Sequence, residues 1–340
     1  MFPMATLADI AGQAGVSEAT VSRVLNNKPG VSDSARQAVL IALDVLGYER
    51  PARLRRRSAG LVGLVVPELE NPIFPAFAQV IEDALARRRF TPVLCTQSPG
   101  SISEDEYVES LLDHGVAGII FVSGRHADTQ ADHERYHSLI ARGLPVVFVN
   151  GFVPGIHAPF VSVDDHAATQ LAVTYLAQLG HTRIGLAAGP ERYLPSQRKR
   201  AGFVATLGQV LEMDPEEAAD WIEEGLYTVE GGAAAALRLL DRGATAIACA
   251  SDLMALGAVR AVRETGRRVP QDISVVGFDD SRLIQFLDPP LTTIRQPVLA
   301  MGAAAVSYLV DAIDGHPVPA MEYIFKPEIV LRGSTGRAPG

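Results

Sequence analysis

Along residues 7–25 the apolar positions recur at helical spacing. Leu7, Ile10, Ala11 and Ala14 make one stripe, and Val21, Val24 and Leu25 make a second. Thr6 stands where it can cap the first helix, and Asp9, three residues on, completes a capping-box pattern. Gly15 supplies a turn and Ser17 a cap for the second helix. A third helix is predicted over 33–46, capped by Ser32, stopped by Gly47 and facing inward through Ala35, Val39, Ala42, Val45 and Leu46. Helices of two turns are not stable alone, so the three must pack on one another. The spacing predicts a helix-turn-helix.

From residue 61 the pattern changes. Short apolar runs at 61–66, 92–97, 118–123, 145–150, 183–188, 246–250 and 274–278 read as buried strands. Between them lie helical stretches such as 74–88, 169–178, 197–210, 231–240 and 252–264. Continuous apolar strands separated by helices imply parallel sheets covered on both faces. There are too many units for one small sheet, so two similar α/β lobes are expected, starting near Leu61 and near Val161. Between the helices and the first strand runs Arg50-Pro51-Ala52-Arg53-Leu54-Arg55-Arg56-Arg57-Ser58-Ala59-Gly60, a cationic stretch with the composition of a linker.

The segment Thr20-Val21-Ser22-Arg23-Val24-Leu25-Asn26 resembles the recognition-helix core of the LacI family of bacterial transcription repressors. The likeness extends over nearly the whole chain. It implies an N-terminal all-α helix-turn-helix headpiece and an α/β core of two parallel-sheet lobes, like a periplasmic sugar-binding protein. The expected divisions are a DNA-binding domain at 1–50, a hinge or linker at 51–60 and a ligand-binding core at 61–335. Within the core an N-lobe is expected at about 61–161 and 292–322, and a C-lobe at about 162–289 and 323–335. The chain would cross between lobes near 162–164, 288–293 and 321–325. The stretch Asp288-Pro289-Pro290-Leu291-Thr292-Thr293-Ile294-Arg295-Gln296-Pro297 matches the family's second crossing.

The function so implied is sequence-specific repression of carbohydrate-utilisation genes, relieved by a small sugar. The partners so implied are double-stranded operator DNA, the sugar effector and a second copy of the chain, with a tetramer as the larger alternative. Gly47-Tyr48-Glu49-Arg50-Pro51, the arginine-rich linker and the run from Leu61 to Pro75 most resemble the maltose-operon repressors of actinobacteria. A sugar-phosphate-responsive or corepressor-type regulator is the alternative.

Charge sharpens this division. The 340 residues carry a net charge of −9. Residues 1–60 hold 8 Lys and Arg against 5 Asp and Glu, a balance of +3, and the remainder is acidic. A basic module joined to an acidic body suits nucleic acid at one end only. Cys95 and Cys249 lie in apolar runs and are expected as buried, reduced thiols. No run is long enough to span a membrane and no signal segment is evident, so a cytoplasmic protein is expected.

Arg23 faces outward on the second helix, where its fork can bond guanine O6 and N7 together. Glu18 and Ala19 start that helix. Glu18 can accept from a cytosine amine or simply favour the helix N-terminus; Ala19 can touch a thymine methyl. Thr6, Ser17, Thr20, Ser22 and Asn26 are candidates for phosphate contacts, with capping as the second role of Ser17. In the linker Leu54 is the candidate minor-groove wedge, with Arg55 and Arg53, Arg56 and Arg57 to neutralise phosphates. A solvated tether is the other reading, and the linker is shorter than the family's common pattern.

The cleft between two such lobes is the expected ligand site. The resemblance implies effector-binding roles for Asp279, which can take two vicinal hydroxyls, and for Asn150 and Ser251, which follow strands. Phe74 and Tyr227 would pack on a sugar face, or else belong to the core and the surface. Where the family usually carries Ser-x-x-Arg-x-x-Gly-Phe, this chain has Ser196-Gln197-Arg198-Lys199-Arg200-Ala201-Gly202-Phe203. Lys199 therefore takes the place of a clamping arginine, beside Arg198. The helix at 74–88 presents Phe77, Ala78, Ile81, Ala84 and Leu85, and is expected at a dimer face.

No enzyme, cofactor or metal is expected. Ser196-x-x-Lys199 copies an acyl-transferase motif without its companions. His126, His133 and His137 with Asp128, Asp132 and Glu134 read as a solvated helix face.

Overall fold

The computed structural model describes residues 6–26, 28–48, 58–97 and 102–339. The chain divides into two compact units, Met1–Ala59 and Gly60–Gly340. Leu54 and Arg55, with Arg53, Arg56 and Arg57, lie outside the described residues.

The first unit is built from α1 (Leu7–Ala14), α2 (Glu18–Leu25) and α3 (Asp33–Val45). Its termini are set by local chemistry. The Asp9 amide donates to Thr6 Oγ1 at 3.3 Å and the Thr6 amide donates to Asp9 Oδ2 at 2.7 Å, closing the capping box. Gly15 ends α1 at φ 64°, a conformation that glycine adopts without cost. Ser17 caps α2 through the Thr20 amide at 3.2 Å, and Ser32 caps α3 through the Ala35 amide at 3.2 Å. Ile10, Ala11, Val21, Val24, Leu25, Val39, Ala42 and Leu43 meet in one core. Two expectations fail. Val45 is 63% exposed and Leu7 41% exposed. On α3 the buried stripe is 39, 42 and 43; Val45 lies two residues past it and turns outward, and Leu43 fills the place.

The second unit runs β1 (Gly60–Val66), α4 (Ile73–Arg87), β2 (Phe90–Thr96), α5 (Glu104–Asp113), β3 (Gly118–Val122), α6 (Glu134–Ala141), β4 (Val146–Val149) and β5 (Phe160–Val163). It continues through α7 (Asp165–Gln178), β6 (Ile184–Ala188), α8 (Leu194–Leu211), α9 (Pro215–Ala219), β7 (Ile222–Glu224), α10 (Val229–Asp241), β8 (Ala246–Cys249), α11 (Asp252–Glu264) and β9 (Ser274–Asp279). The last elements are β10 (Thr292–Arg295), α12 (Val298–Ile313), β11 (Glu322–Phe325) and β12 (Glu328–Val330).

Two six-stranded sheets result, ordered β11-β5-β4-β3-β1-β2 and β12-β10-β9-β8-β6-β7. All pairings are parallel except β10 with β12. Each sheet is thus doubly wound, and its order reverses beside its first strand, β1 or β6. A crevice opens beyond the carboxyl ends of the strands at such a reversal.

The first crossing falls at the end of its expected range, and the other two differ in place from the sequence expectation. Ser162 and Val163 still belong to β5, so the first crossing is at Asp164. Thr292–Arg295 belongs to the second sheet, paired with β9, so the second crossing is at Gln296-Pro297 rather than 288–293. Glu322–Phe325 extends the first sheet beside β5, so the third is at Lys326-Pro327. Pairing to a distant strand decides each boundary, and local pattern does not display it.

The apolar face of α4 is also spent within the chain. Phe77, Ile81 and Leu85 are fully buried with Met301, Ala305 and Leu309 of α12. A Cβ on Gly302 would sit 2.7 Å from Val80, so the two helices pack closely there. The expectation of a dimer face at Phe77, Ile81, Ala84 and Leu85 is corrected: these side chains are core.

Candidate functional site

In the first unit, burial of Val21, Val24 and Leu25 leaves the opposite face of α2 in solvent. Ser17, Glu18, Ala19, Arg23 and Asn26 are exposed, and Thr20 and Ser22 are partly so. Some of this polarity is already engaged. Ser17 Oγ and Thr20 Oγ1 share a hydrogen bond of 2.9 Å, and Asn26 Nδ2 donates to the Ser22 carbonyl at 2.8 Å. Asn26 therefore closes the end of its own helix, a role the sequence reading missed. Among these residues Arg23 is the long cation on the open face. Thr6, by contrast, is held in the capping box.

In the second unit the two sheets enclose a cavity of about 630 Å³. Its wall is made by the residues that follow the strands. Pro67, Gln97, Ser123 and Asn150 follow β1 to β4 in one lobe; Asp165, just past the first crossing, and Tyr193, Tyr227, Ser251, Asp279 and Gln296 come from the other. Backbone strain collects here. Ser123 (φ 46°), Asn150 (φ 64°) and Asp279 (φ 119°) all hold left-handed conformations that side chains disfavour. Gly189 has its own steric reason, since a Cβ there would stand 2.1 Å from the Tyr227 ring.

Six of the eight expected effector residues line this space: Phe74, Asn150, Lys199, Tyr227, Ser251 and Asp279. Ser196 and Arg198 do not. Ser196 is buried and donates to the Gly189 carbonyl at 2.6 Å. Arg198 forks onto Glu322 of β11 at 2.6 and 2.9 Å, joining the two lobes. Ser251 caps α11 through the Met254 amide at 3.2 Å, so its hydroxyl is partly engaged.

The floor of the cavity is polar and tightly wired. Gln296 Nε2 donates to Asp279 Oδ1 at 2.7 Å, and Asn150 Nδ2 donates to Ser123 Oγ at 3.0 Å. Asn150 Oδ1 and Gln296 Oε1 are buried without a hydrogen-bond partner among the described residues. Unmade hydrogen bonds of this kind are costly unless something fills them. Burial, reinforced by the neighbouring Asp252 charge, pushes the Asp279 carboxyl well above its usual range, against the pull of Gln296 and Lys199. Burial likewise raises Asp165, opposed mainly by the ammonium of Lys199. That ammonium bonds Asp165 Oδ1 and stands 3.9 Å from the centre of the Phe278 ring.

At the mouth, the lobes touch directly. The Thr129 amide and hydroxyl both donate to the Arg192 carbonyl, at 2.8 and 2.9 Å, and Gln197 Nε2 donates to Thr129 Oγ1 at 3.3 Å. Arg192 also lies 3.5 Å from Asp128.

Sequence reading missed Asp165 and Gln296. The rule that found Asn150 applies to both, since each follows a strand; the hinge reading of 288–297 hid β10 and with it Gln296. Of the histidine cluster, Asp132, Glu134 and His137 are exposed as expected, and one member is corrected. His126 is buried, its Nε2 2.6 Å from the Asn150 carbonyl, and burial pushes it down to about 4. It supports the strained Asn150 rather than facing solvent. Among the described residues no three His, Cys, Asp or Glu side chains group as metal ligands, and no helix is long and apolar enough to cross a membrane. Ser196 and Lys199 are bonded to other partners, which is not the arrangement of a nucleophile and its base.

Comparison with known proteins agrees with both halves. Residues 6–51 match the bacterial regulatory proteins of the lacI family, and residues 173–335 a periplasmic binding protein-like domain. The transcriptional regulator reg1 of Streptomyces lividans is 63% identical over 98% of this chain and 97% of its own length. MalR of Streptomyces coelicolor is 63% identical over the same shares. Among solved structures, the regulator CelR in complex with cellobiose aligns with TM-score 0.72 and 31% identity, over 97% of this chain and 99% of that one. The Lac repressor dimer bound to operator aligns with TM-score 0.70 and 28% identity, over 98% and 100%. These relatives are transcription regulators, not enzymes, and the chain belongs to the lacI family of bacterial regulatory proteins.

Proposed function

We propose that this regulator binds operator DNA as a homodimer through α2 and releases it when a neutral saccharide, maltose or a short maltodextrin, fills the cavity. The observation that carries this reading is the cavity wall. Its apolar side, with Phe74, Tyr227 and Phe278, suits the C–H face of a sugar ring. Its polar side offers acceptors at Asp279 and at the unpartnered oxygens of Asn150 and Gln296 for hydroxyl donors. A cavity of about 630 Å³ has the size of small-ligand sites generally. The regulator CelR is solved in complex with cellobiose, a disaccharide.

Each lobe supplies half of the wall, so a ligand that bonds both favours the arrangement in which they are close. If that arrangement disfavours DNA binding, effector and operator oppose each other by equal factors. Two half-sites need two recognition helices, which is the reason for a dimer. Arg23 is the base-reading side chain in this scheme. Glu18 and Ala19 are placed to tune operator choice. Ser17, Thr20 and Ser22 position the helix on phosphate.

Thermal unfolding against a panel of sugars tests the ligand, because a ligand that binds only the folded state raises the melting temperature. Maltose or maltotriose is expected to raise it and to weaken operator binding in a titration. A shift with another sugar alone would replace the ligand. Tighter operator binding with sugar would make the protein a corepressor-type regulator.

A further inference from the structure

We infer that the buried Asp165–Lys199 pair locks the one cation that the described residues enclose in the cavity, and so closes the site to phosphorylated sugars. The inference rests on the reading of the cavity as a saccharide site, and concerns the charge of the ligand that it accepts. The side chains of Lys199 and Asp165 are 6% and 4% exposed and bonded to each other. The ring of Phe278 packs on the same ammonium, its centre 3.9 Å away. A lysine has one charged atom, so an ammonium committed to a carboxylate has little left for an anion; an arginine would keep further nitrogens of its fork free.

The other cations offer no substitute. Arg198, next in sequence, is spent on Glu322 outside the cavity wall. Arg125 and Arg192 stand at the exposed rim, each 3.5 Å from an aspartate, Asp105 and Asp128. Asp279 meanwhile has an amide for its bonded neighbour, not a cation. Among the described residues the enclosed wall thus holds two carboxylates against one cation. A phosphate entering it would shed water and meet Asp279 without an unpaired positive charge to repay the loss. A sugar hydroxyl meets the same carboxylate as a donor and gains a charge-assisted bond.

The lock can be opened by removing one charge. Asp165→Asn keeps the volume and an oxygen for Lys199 to bond, but leaves the ammonium without a counter-ion. An anion in the cavity would then restore the balance. Lys199→Arg keeps the ion pair, and with it the fold, while adding free donors.

The test is calorimetric titration of the full-length protein with maltose, with a phosphorylated maltose and with inorganic phosphate. The wild type is expected to bind maltose at least about a hundredfold more tightly than its phosphorylated form. Asp165→Asn is expected to gain about tenfold or more for the phosphorylated sugar and for inorganic phosphate. Lys199→Arg should gain by a smaller factor, and the double variant Asp165→Asn with Lys199→Met should lose the gain. Wild-type affinity for the phosphorylated sugar within about threefold of that for maltose would overturn the inference. So would an absent gain in both single variants, where unfolding of the first leaves the second to decide. If no neutral saccharide binds the wild type but the freed Lys199 still captures inorganic phosphate, the lock stands and the saccharide reading fails.

Discussion

Helix α2 and the cavity both present polar groups to a partner, but they hold them in opposite ways. On α2 the readers are in solvent and are positioned from behind, by Val21, Val24 and Leu25 in a small core. In the cavity the readers are themselves buried, and each is positioned by another polar group: Asp279 by Gln296, Asn150 by Ser123, Lys199 by Asp165. A solvated reader can be exchanged without harm to the fold, which suits a surface that must match one operator among many. A buried reader carries structural weight, so its loss is felt as instability as well as lost recognition.

The sharpest way to break that contrast is Lys199→Ala. It leaves Asp165 as an uncompensated buried charge and is expected to cost about 3–5 kcal/mol of stability by urea unfolding. Arg23→Ala is the counterpart on α2. It should leave stability unchanged, yet cost about 1–3 kcal/mol of operator affinity with a smaller loss on random DNA. Equal stability losses in the two variants would dissolve the distinction.

The same contrast explains what could be read from the chain. The headpiece was legible because its determinants are local: Thr6 with Asp9, Ser17 with Thr20, Gly15 at φ 64°. So were the two doubly wound lobes, because buried parallel strands announce themselves as apolar runs. The wall of the cavity was legible where a residue simply follows a strand, as Asn150 and Ser251 do. It was not legible where a partner far along the chain decides the role. Arg198 and Lys199 are neighbours of like charge, and nothing local says that one turns to Glu322 and the other to Asp165. Likewise Val45 and Leu43 on α3 are equally apolar, and only packing against α1 and α2 chooses between them.

A smaller effect is expected at the lobe junction. Arg198 and Glu322 are partly exposed, so the stability cost of Arg198→Met or Glu322→Gln should be at most about 1 kcal/mol. The pair nevertheless ties α8 of one lobe to β11 of the other. Loosening it should move effector and operator affinities in opposite directions, each by about threefold, as linkage requires. Titrations of both ligands check this, and movement in the same direction would show that the pair acts on neither equilibrium through the lobes.

The finest test concerns protons at Asp279, where burial and the Asp252 charge raise the folded carboxyl above its unfolded value. Between those two values the folded state holds more proton than the unfolded one. This group therefore stabilises the free protein as pH falls through the window, and that contribution is lost as pH rises through the folded value. His126 works against it, because a histidine pushed down to about 4 costs stability as pH falls below its unfolded value of 6.5. Comparison with Asp279→Asn separates the two, since only the aspartate contribution disappears. Effector binding has the reverse sign. Sugar hydroxyls bond the carboxylate, so maltose affinity should decline as pH falls through the raised value, by at most about tenfold per pH unit. Asp279→Asn should bind more weakly at neutral pH and show a flatter profile. A wild-type profile flat across the whole pH range in which the protein stays folded would mean that the ligand does not touch Asp279, and that this carboxylate is buried for the fold alone.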